Sequence, residues 1–165
     1  MTVVIRAVSE DDWPTLRDVR LRALADAPTS FGTTLGQAAE FTQERWRDRA
    51  RGSATSRQFL AFLDGEAVGI AGLFDEGEGS AQLVSVWVRP DHRRRGVARA
   101  LTRAALDFAA AAGMARVTLW VTEGNASARR LYECLGFRAT GRRQPLPSQP
   151  SLEESEMELG VAARG

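Results

Sequence analysis

Three consecutive arginines, Arg93–Arg95, stand between a strand-like segment and a helix-like segment. Gly96 follows the arginines and opens the predicted helix Val97–Ala112. The first turn of a helix has unpaired backbone N–H groups and a partial positive charge, and both attract an anion. A glycine lets a phosphate approach the backbone closely, and arginines add charge-assisted donors that suit phosphate oxygens. The pattern therefore predicts a turn that binds a diphosphate.

This turn differs from the common nucleotide-binding loops. The chain has no Gly-x-Gly-x-x-Gly and no Gly-x-x-x-x-Gly-Lys-Ser/Thr sequence, so hydrolysis of a nucleoside triphosphate is not expected. Taken alone, Arg-Arg-Arg-Gly is more often a solvated turn that only begins a helix. The apolar strand Ala81–Val88 before the turn and the apolar helix after it favour the binding interpretation, because an anion site of this kind needs both.

A second pattern runs from Asn125 to Phe137 and covers the predicted helix Ala126–Leu135. Tyr132 lies near the end of that helix. An amphipathic tyrosine in this position is compatible with packing alone, with its hydroxyl in water. It is also suited to general acid catalysis, because a tyrosine with an ordinary pKa of about 10 is protonated at neutral pH.

Together the two segments resemble the GNAT family of N-acetyltransferases. Arg93-x-x-Gly96-x-Ala98 is similar to the family's motif for the pyrophosphate of acetyl-CoA. Asn125 to Phe137 is similar to its Asn-x-x-Ala-x-x-x-Tyr-x-x-x-Gly-Phe signature. The order of the predicted elements agrees as well, so the resemblance covers nearly the whole chain, which we expect to form a single domain, 1–165.

The resemblance implies that acetyl-CoA is the cosubstrate. One strand backbone would pair with the pantetheine arm, the arginine turn would hold the pyrophosphate, and the asparagine would contact the cofactor near the arm. Tyr132 would be the catalytic residue that protonates the leaving thiolate. The implied cofactor-binding residues are Val86, Trp87, Val88, Arg93, Arg94, Arg95, Gly96, Val97, Ala98 and Asn125.

The general base is left open by the sequence. Many family members have a glutamate on the strand before the arginine turn, where this chain has Gln82, with Ser85 further along. Neither side chain deprotonates an amine unaided. A water chain that leads to solvent or to backbone carbonyls is one substitute, and Glu123 and Glu133 are others.

Direct transfer in a ternary complex is expected, without an acetylated enzyme. A cysteine nucleophile needs a partner base, and Cys134 has no histidine near it in the sequence. His92 is the only histidine of the chain.

The elements that must position these residues alternate along the chain in the order β-α-α-β-β-β-α-β-α-β-β. This order predicts an α/β fold with a mixed central sheet of about seven strands and helices on both faces. Asp64-Gly65 joins Gln58–Leu63 to Ala67–Phe74 and is a strong hairpin signal. The resemblance adds a bulge that splays the sheet between its fourth and fifth strands. Gly141–Ser155, with three prolines, is predicted to be a loop before a final strand, Glu156–Val161.

The composition limits the classes of function. The chain has 165 residues, with 22 Lys and Arg against 21 Asp and Glu, so it lacks an overall field that would attract nucleic acid or a membrane surface. It contains neither an apolar run of about 18 residues that would span a bilayer nor the apolar stretch of a secretory signal. One cysteine and one histidine exclude an internal disulfide and a Cys/His zinc site. We therefore expect a cytoplasmic protein with no metal and with no nucleic-acid or membrane partner.

The acceptor is expected to contact the segments outside the cofactor core, namely Ala25–Phe41, Asp75–Ser80 and Gly141–Ser155. Arg142 and Arg143 are candidates to meet an acidic acceptor or are simply solvated. Four aromatic residues are either pocket walls or core packing: Phe31, Phe41, Trp46 and Trp87.

The function that best fits these features is acetyl transfer to the primary amine of a small molecule. An amino acid, a polyamine-like metabolite and an amine-bearing antibiotic are all compatible with the sequence. The alternatives are a protein N-terminal or lysine acetyltransferase and a non-catalytic acyl-CoA-binding domain. A homodimer is left open.

Overall fold

A computed structural model describes residues 2–161 of the protein, and residue 1 and residues 162–165 of the predicted domain lie outside the described part. Within that range the strands are β1 Val3–Ala7, β2 Arg57–Leu63, β3 Glu66–Gly77, β4 Ser80–Val88, β5 Arg116–Thr122, β6 Arg138–Leu146 and β7 Gln149–Gly160. The α-helices are α1 Trp13–Asp26, α2 Leu35–Ala39, α3 Gln43–Arg51, α4 Val97–Ala111 and α5 Ala126–Cys134. The strands form one sheet in the order β1-β2-β3-β4-β5-β7-β6.

Helices cover both faces of this sheet. Successive side chains of a strand point to opposite faces, so β2 places Phe59 and Ala61 in one core and Leu60 in the other. The first core contains the buried side of α4 and Tyr132 of α5, and the second contains α1, α2 and α3. The predicted mixed sheet with helices on both faces is confirmed.

The sheet opens between β4 and β5. These parallel strands pair only where residues 80–82 face residues 116–118. On the other edge of β4, Val84 pairs with Gly72 and Trp87 with Ile70, so Ser85 and Val86 together oppose a single residue of β3. Two residues against one is a β-bulge, and Ser85 has the positive φ of 60° that bends the strand there. The predicted splay between the fourth and fifth strands is present.

The prediction of a loop at Gly141–Ser155 was wrong. This segment forms most of a hairpin in which β6 and β7 pair from Arg138 to Leu146 and turn at residues 147–148. The sheet tolerates Pro145 because β6 is an edge strand, where a missing N–H costs little. Pro150 lies on β7 before the part that pairs with β5, which begins opposite Thr122. The prolines therefore mark an edge and a strand end, and do not interrupt the sheet.

The short helix α2 was not predicted. It begins at the N-cap Thr34, whose side chain accepts a hydrogen bond from the backbone N–H of Gln37 at 3.1 Å. The Gln37 side chain accepts one from the backbone N–H of Thr34 in return, at 2.9 Å. No helix within residues 2–161 is long and apolar enough to cross a membrane.

Candidate active site

A cleft of about 400 Å³ lies where β4 and β5 separate. Residues 82–86 of β4 and residues 119–122 of β5 form its sides. Past residue 82 the edge of β4 has no strand beside it in the described part of the chain, because its pairing with β5 has ended. Backbone N–H and C=O groups on such an edge can pair with an extended ligand as a further strand would.

Tyr132 of α5 lines this cleft. Its side chain is almost completely buried, and its ring packs edge-on against Phe137 with the ring centroids 5.7 Å apart. Burial raises the pKa of the Tyr132 hydroxyl above that of a tyrosine in water. Within residues 2–161 the hydroxyl makes no hydrogen bond, so its proton is available to a group bound in the cleft.

Asn125 also lines the cleft, where it begins α5. Its Oδ1 accepts a hydrogen bond from the backbone N–H of Ala128 at 3.3 Å, which is the geometry of an N-cap. The side chain is thus fixed in place by the start of the helix. Val86, Asn125 and Tyr132, which were all predicted from sequence, meet at this one cleft.

The arginine turn is at the start of α4, outside the lining of the cleft. Gly96 is the N-cap of α4 in a left-handed conformation with φ of 80°, and a Cβ built on it would have no heavy atom within 4 Å. Arg94 is left-handed as well, with φ of 64°. The backbone at this helix start is therefore exposed and unobstructed, as an anion site requires.

Two of the predicted cofactor residues have structural contacts of their own. The Arg93 guanidinium donates from Nε to the carbonyl oxygen of Val88 at 2.9 Å and from Nη2 to Asp26 at 2.7 Å. The Trp87 indole N–H donates to the same Asp26 carboxylate at 2.9 Å. Asp26 thus ties the end of β4 and the arginine turn to the end of α1. The side chains of Trp87 and Val88 are buried in the cores, Trp87 pairs with Ile70 of β3, and the carbonyl oxygen of Val88 is already an acceptor for Arg93.

Acetyl-CoA is expected to raise the melting temperature of the wild type, and replacing Gly96 with leucine is expected to abolish that rise. The side chain would stand over the helix N–H groups that a phosphate must reach, and binding to the folded state alone is what raises the melting temperature. Gly113→Leu is the matched control at the other end of the same helix. Gly113 has φ of 81° and equally open surroundings, so both variants carry a similar backbone strain of about 1–2 kcal/mol. If acetyl-CoA raises the melting temperature of Gly96→Leu as much as that of the wild type, there is no phosphate site at this turn. If Gly113→Leu also loses the shift, the loss in Gly96→Leu comes from backbone strain and the result counts against the site.

Glu154 is a cleft residue that was not predicted. It lies on β7 in register with Thr122 of β5, and only 7% of it is exposed. Its Oε1 accepts a hydrogen bond from Nε2 of Gln144 at 2.6 Å. Burial raises the pKa of the Glu154 carboxyl, against a smaller lowering by the bond from Gln144. A carboxyl with a raised pKa in a cleft is suited to accept a proton near neutral pH.

The candidate bases proposed from sequence lie in different places relative to the cleft. Gln82 lines the cleft, and Ser85 lines it too but accepts a hydrogen bond from the Arg20 guanidinium. Glu123 and Glu133 are exposed and form ion pairs with Arg143 and Arg129. Glu154 was missed because its segment was predicted to be a loop. In a loop, unlike a strand, the position of a residue does not indicate whether its side chain is buried.

Arg20 and Arg49 complete the polar lining, and neither was predicted as a site residue. Arg20 lies on α1 within the buried stripe that contains Leu16, Val19 and Ala23. A charged residue in the middle of an apolar stripe is the sequence signal that could have identified it. Arg49 follows on α3 and is half-buried.

The other candidates for the acceptor side lie mostly away from the cleft. Phe31 lines it, whereas Trp46 and Trp87 are core residues and the half-buried Phe41 packs on Trp46 with ring centroids 5.3 Å apart. Arg142 and Arg143 form ion pairs with glutamates of the sheet and its β5–α5 turn, outside the cleft lining. Cys134 is exposed on α5 and does not line the cleft.

The chain is similar to known proteins in sequence and in structure. The profile described as "Acetyltransferase (GNAT) family" matches residues 18–137. The mycothiol acetyltransferase of Thermobispora bispora is 36% identical over 134 residues, which cover 78% of this chain and 42% of that protein. The N-acetylaspartate synthetase of Homo sapiens is 38% identical over 84 residues, which cover 50% of this chain and 28% of that protein. The chain thus spans less than half the length of these curated relatives.

The yncA protein of Salmonella typhimurium, solved with its cofactor acetyl-CoA, superposes with a TM-score of 0.79 at 19% identity, covering 100% of this chain and 97% of that chain. A GNAT-family acetyltransferase from Streptococcus pneumoniae gives a TM-score of 0.78 at 23% identity, covering 97% and 99%. At these identities the likeness shows the fold alone. The comparisons confirm the predicted family, and with it acetyl-CoA as the cosubstrate of the fold. The family profile matches well over half of the residues of the chain, and the chain therefore belongs to the GNAT acetyltransferase family.

Proposed function

We propose that this protein transfers the acetyl group of acetyl-CoA to the primary amine of a small molecule, by direct attack within a ternary complex. The observation that carries the proposal is that the cleft between β4 and β5 has a buried acid and a buried base on opposite faces of the sheet. Tyr132 shares a core with Val121 of β5. The next residue, Thr122, points to the other face, and Glu154 is its neighbour in register.

The reaction follows from this arrangement. The thioester lies on the Tyr132 side, with its pantetheine arm along the free edge of β4 and its phosphates at Gly96. The amine approaches from the Glu154 side and attacks the carbonyl carbon. Glu154 takes the proton that the amine loses, the tetrahedral intermediate collapses, and the C–S bond breaks. Tyr132 gives its proton to the departing thiolate, so CoA leaves as a thiol. An exposed Cys134 outside the cleft is consistent with transfer without an acetylated enzyme.

The size and walls of the cleft favour a small acceptor over a protein. The segment after α1 is held against the sheet on the acceptor side, because the Thr122 hydroxyl donates to the carbonyl oxygen of Thr29 at 2.6 Å. The Ser148 hydroxyl, at the tip of the β6–β7 hairpin, donates to the carbonyl oxygen of Phe31. These bonds close the acceptor side with backbone from two segments. The names of two relatives, mycothiol acetyltransferase and N-acetylaspartate synthetase, also refer to small molecules. A cytoplasmic location belongs to the same proposal and is supported by the single cysteine.

A screen of amines with acetyl-CoA tests the proposal. Release of CoA thiol would be followed over amino acids, polyamines, aminoglycoside-type antibiotics and N-terminal peptides, with mass spectrometry of each product. We expect an N-acetylated small molecule. Acetylation confined to peptides would favour a protein acetyltransferase instead. Tight binding of acetyl-CoA without transfer to any amine would favour a non-catalytic acyl-CoA-binding domain.

A further inference from the structure

The Arg20 side chain is a buried cation that is short of partners. Only 5% of the residue is exposed, although it lines the cleft. Its Nη1 donates to the hydroxyl of Ser85, and its guanidinium carbon is 5.6 Å from the ring centroid of Phe31. Its Nε is buried and has no hydrogen-bond partner among residues 2–161. A buried guanidinium usually satisfies its donors with an anion, and leaving one unpaired is costly.

A second cation in the cleft makes the position of Arg20 less favourable. Arg49 also lines the cleft, and its positive charge repels Arg20. Burial first, and this repulsion second, lower the pKa of Arg20 to about 9. Among residues 2–161 no carboxylate forms an ion pair with either guanidinium, whereas surface arginines such as Arg93 and Arg129 are paired with acids. Neither arginine of the cleft therefore has an ion-pair partner in this part of the chain.

We propose that Arg20 and Arg49 bind the carboxylate of the acceptor, so that the acceptor is a small amino carboxylate. A carboxylate between the two guanidiniums would remove their repulsion and supply acceptors for their unused N–H donors. Glu154 lines the same cleft and carries the opposite charge when ionised. A cleft with two cations and one acid matches a molecule that has both a carboxylate and an amine. The inference rests on the proposed function, of which it names the substrate class.

This assignment separates the three acceptor classes that the sequence left open. Polyamines carry only positive charge and would add to the repulsion at Arg20. An aminoglycoside-type amine would likewise leave the guanidinium donors without an anion. The phosphates of acetyl-CoA are assigned to Gly96, and the turn at 93–98 does not contribute to the cleft lining. The carboxylate of an amino acid is the anion that remains.

Paired acceptors test the proposal. The rate of CoA release would be measured with L-alanine, L-methionine, L-aspartate and L-glutamate. Each amino acid would be compared with the amide in which a carboxamide replaces its α-carboxylate. Removing one partner of a buried charged pair typically lowers binding by about 30-fold or more. We therefore expect the preferred acid to exceed its amide in kcat/KM by at least about 30-fold. Arg20→Met and Arg49→Met should each bring this ratio towards one. Arg22→Met is the control, since Arg22 is exposed on the same helix and should keep the wild-type ratio.

Thermal stability provides a readout that does not depend on turnover. Without ligands, Arg20→Met should melt no lower than the wild type, because it removes an uncompensated buried charge and keeps an apolar stem. With CoA present, the preferred amino acid at millimolar concentration should raise the wild-type melting temperature but not that of Arg20→Met. If Arg20→Met does not fold, Arg20→Lys keeps the charge and should retain part of both effects.

The possible results separate the two proposals. A ratio near one in the wild type, or a ratio unaffected by Arg20→Met, would overturn the carboxylate site while acetyl transfer stood. A preference for O-phosphoethanolamine over every amino acid would overturn it too. If no amine is acetylated, the proposed function fails, and the amino-acid-dependent shift in melting temperature still decides whether the carboxylate site exists. A marked loss of ligand-free stability in Arg20→Met would indicate that Arg20 is structural and would also count against the site.

Discussion

Replacing Tyr132 with phenylalanine is expected to lower kcat by about 100- to 10,000-fold and to leave the dissociation constant for acetyl-CoA nearly unchanged. The thiolate that leaves the tetrahedral intermediate develops its charge late and needs a proton or a hydrogen bond. The substitution removes only the hydroxyl. The ring can keep its packing on Phe137, and no hydrogen bond within residues 2–161 is lost. A fall in kcat without a change in cofactor binding identifies an interaction made mainly in the transition state.

The control and the pH dependence sharpen this expectation. Arg130→Met changes an exposed side chain of the same helix, outside the cleft lining, and should keep the wild-type kcat. Because burial raises the pKa of Tyr132, its deprotonation should cause no loss of activity up to about pH 10. Single-turnover measurements would establish that chemistry limits the rate. If Tyr132→Phe then turns over like the wild type, Tyr132 is a packing residue and water protonates the thiolate.

The cofactor residues were proposed from signals that are local in the sequence. A glycine that opens a helix after a buried strand defines an anion site within about ten residues, whatever the rest of the fold does. Asn125 and Tyr132 are similarly fixed by their spacing along one helix. The hairpin at Asp64-Gly65 was predictable for the same reason. These predictions needed only neighbours in sequence.

The acceptor half was not predictable because it depends on which faces of distant elements meet. Glu154 reaches the cleft only because β7 pairs with β5 in a register that places it beside Thr122. The prolines around it suggested a loop and concealed that strand. Arg20 comes from α1, and its place in an apolar stripe gains meaning only once Ser85 and Arg49 are seen beside it. Charge complementarity of this kind is a property of tertiary structure.

One explanation accounts for the unfavourable buried charges of the cleft. Glu154, Arg20 and Arg49 are ionisable groups that burial destabilises in their charged forms. A protein that was selected for stability alone would replace them with apolar residues of similar size. Their presence around one cleft, with Tyr132 on its other side, is the pattern expected of a site that is completed by its substrates.

Replacing Glu154 with glutamine is expected to lower kcat by about 100- to 10,000-fold at neutral pH, because glutamine keeps the shape and cannot accept the proton of the amine. The wild type should lose activity as the pH falls through the raised pKa of Glu154, since only the ionised carboxylate is a base. Glu154→Gln should lack this acidic limb. Rates would be measured between about pH 5 and pH 9, with the acceptor at saturating concentration so that titration of the free amine does not hide the enzyme's own limb.

Stability should change in the opposite direction from activity. The pKa of Glu154 is higher in the folded chain than in the unfolded one, so folding favours its protonated form. The stability that this group contributes is fully present below its unfolded pKa and is lost as the pH rises through its folded pKa. At neutral pH the ionised Glu154 is therefore unfavourable, and Glu154→Gln should unfold with at least the wild-type free energy. The advantage of the variant should shrink as the pH is lowered towards 4.

Glu156→Gln is the matched control, two residues further along the same face of β7. Glu156 is also 7% exposed, but it lies outside the cleft and accepts hydrogen bonds from Thr140 and Arg142. Its substitution should lower the free energy of unfolding by weakening the hydrogen bonds to Thr140 and Arg142, and should leave kcat close to the wild-type value. If Glu154→Gln keeps the wild-type rate and the wild-type acidic limb, Glu154 is not the base. A water chain would then deprotonate the amine. Glu154 would have only the weaker role of orienting the ammonium form of the acceptor.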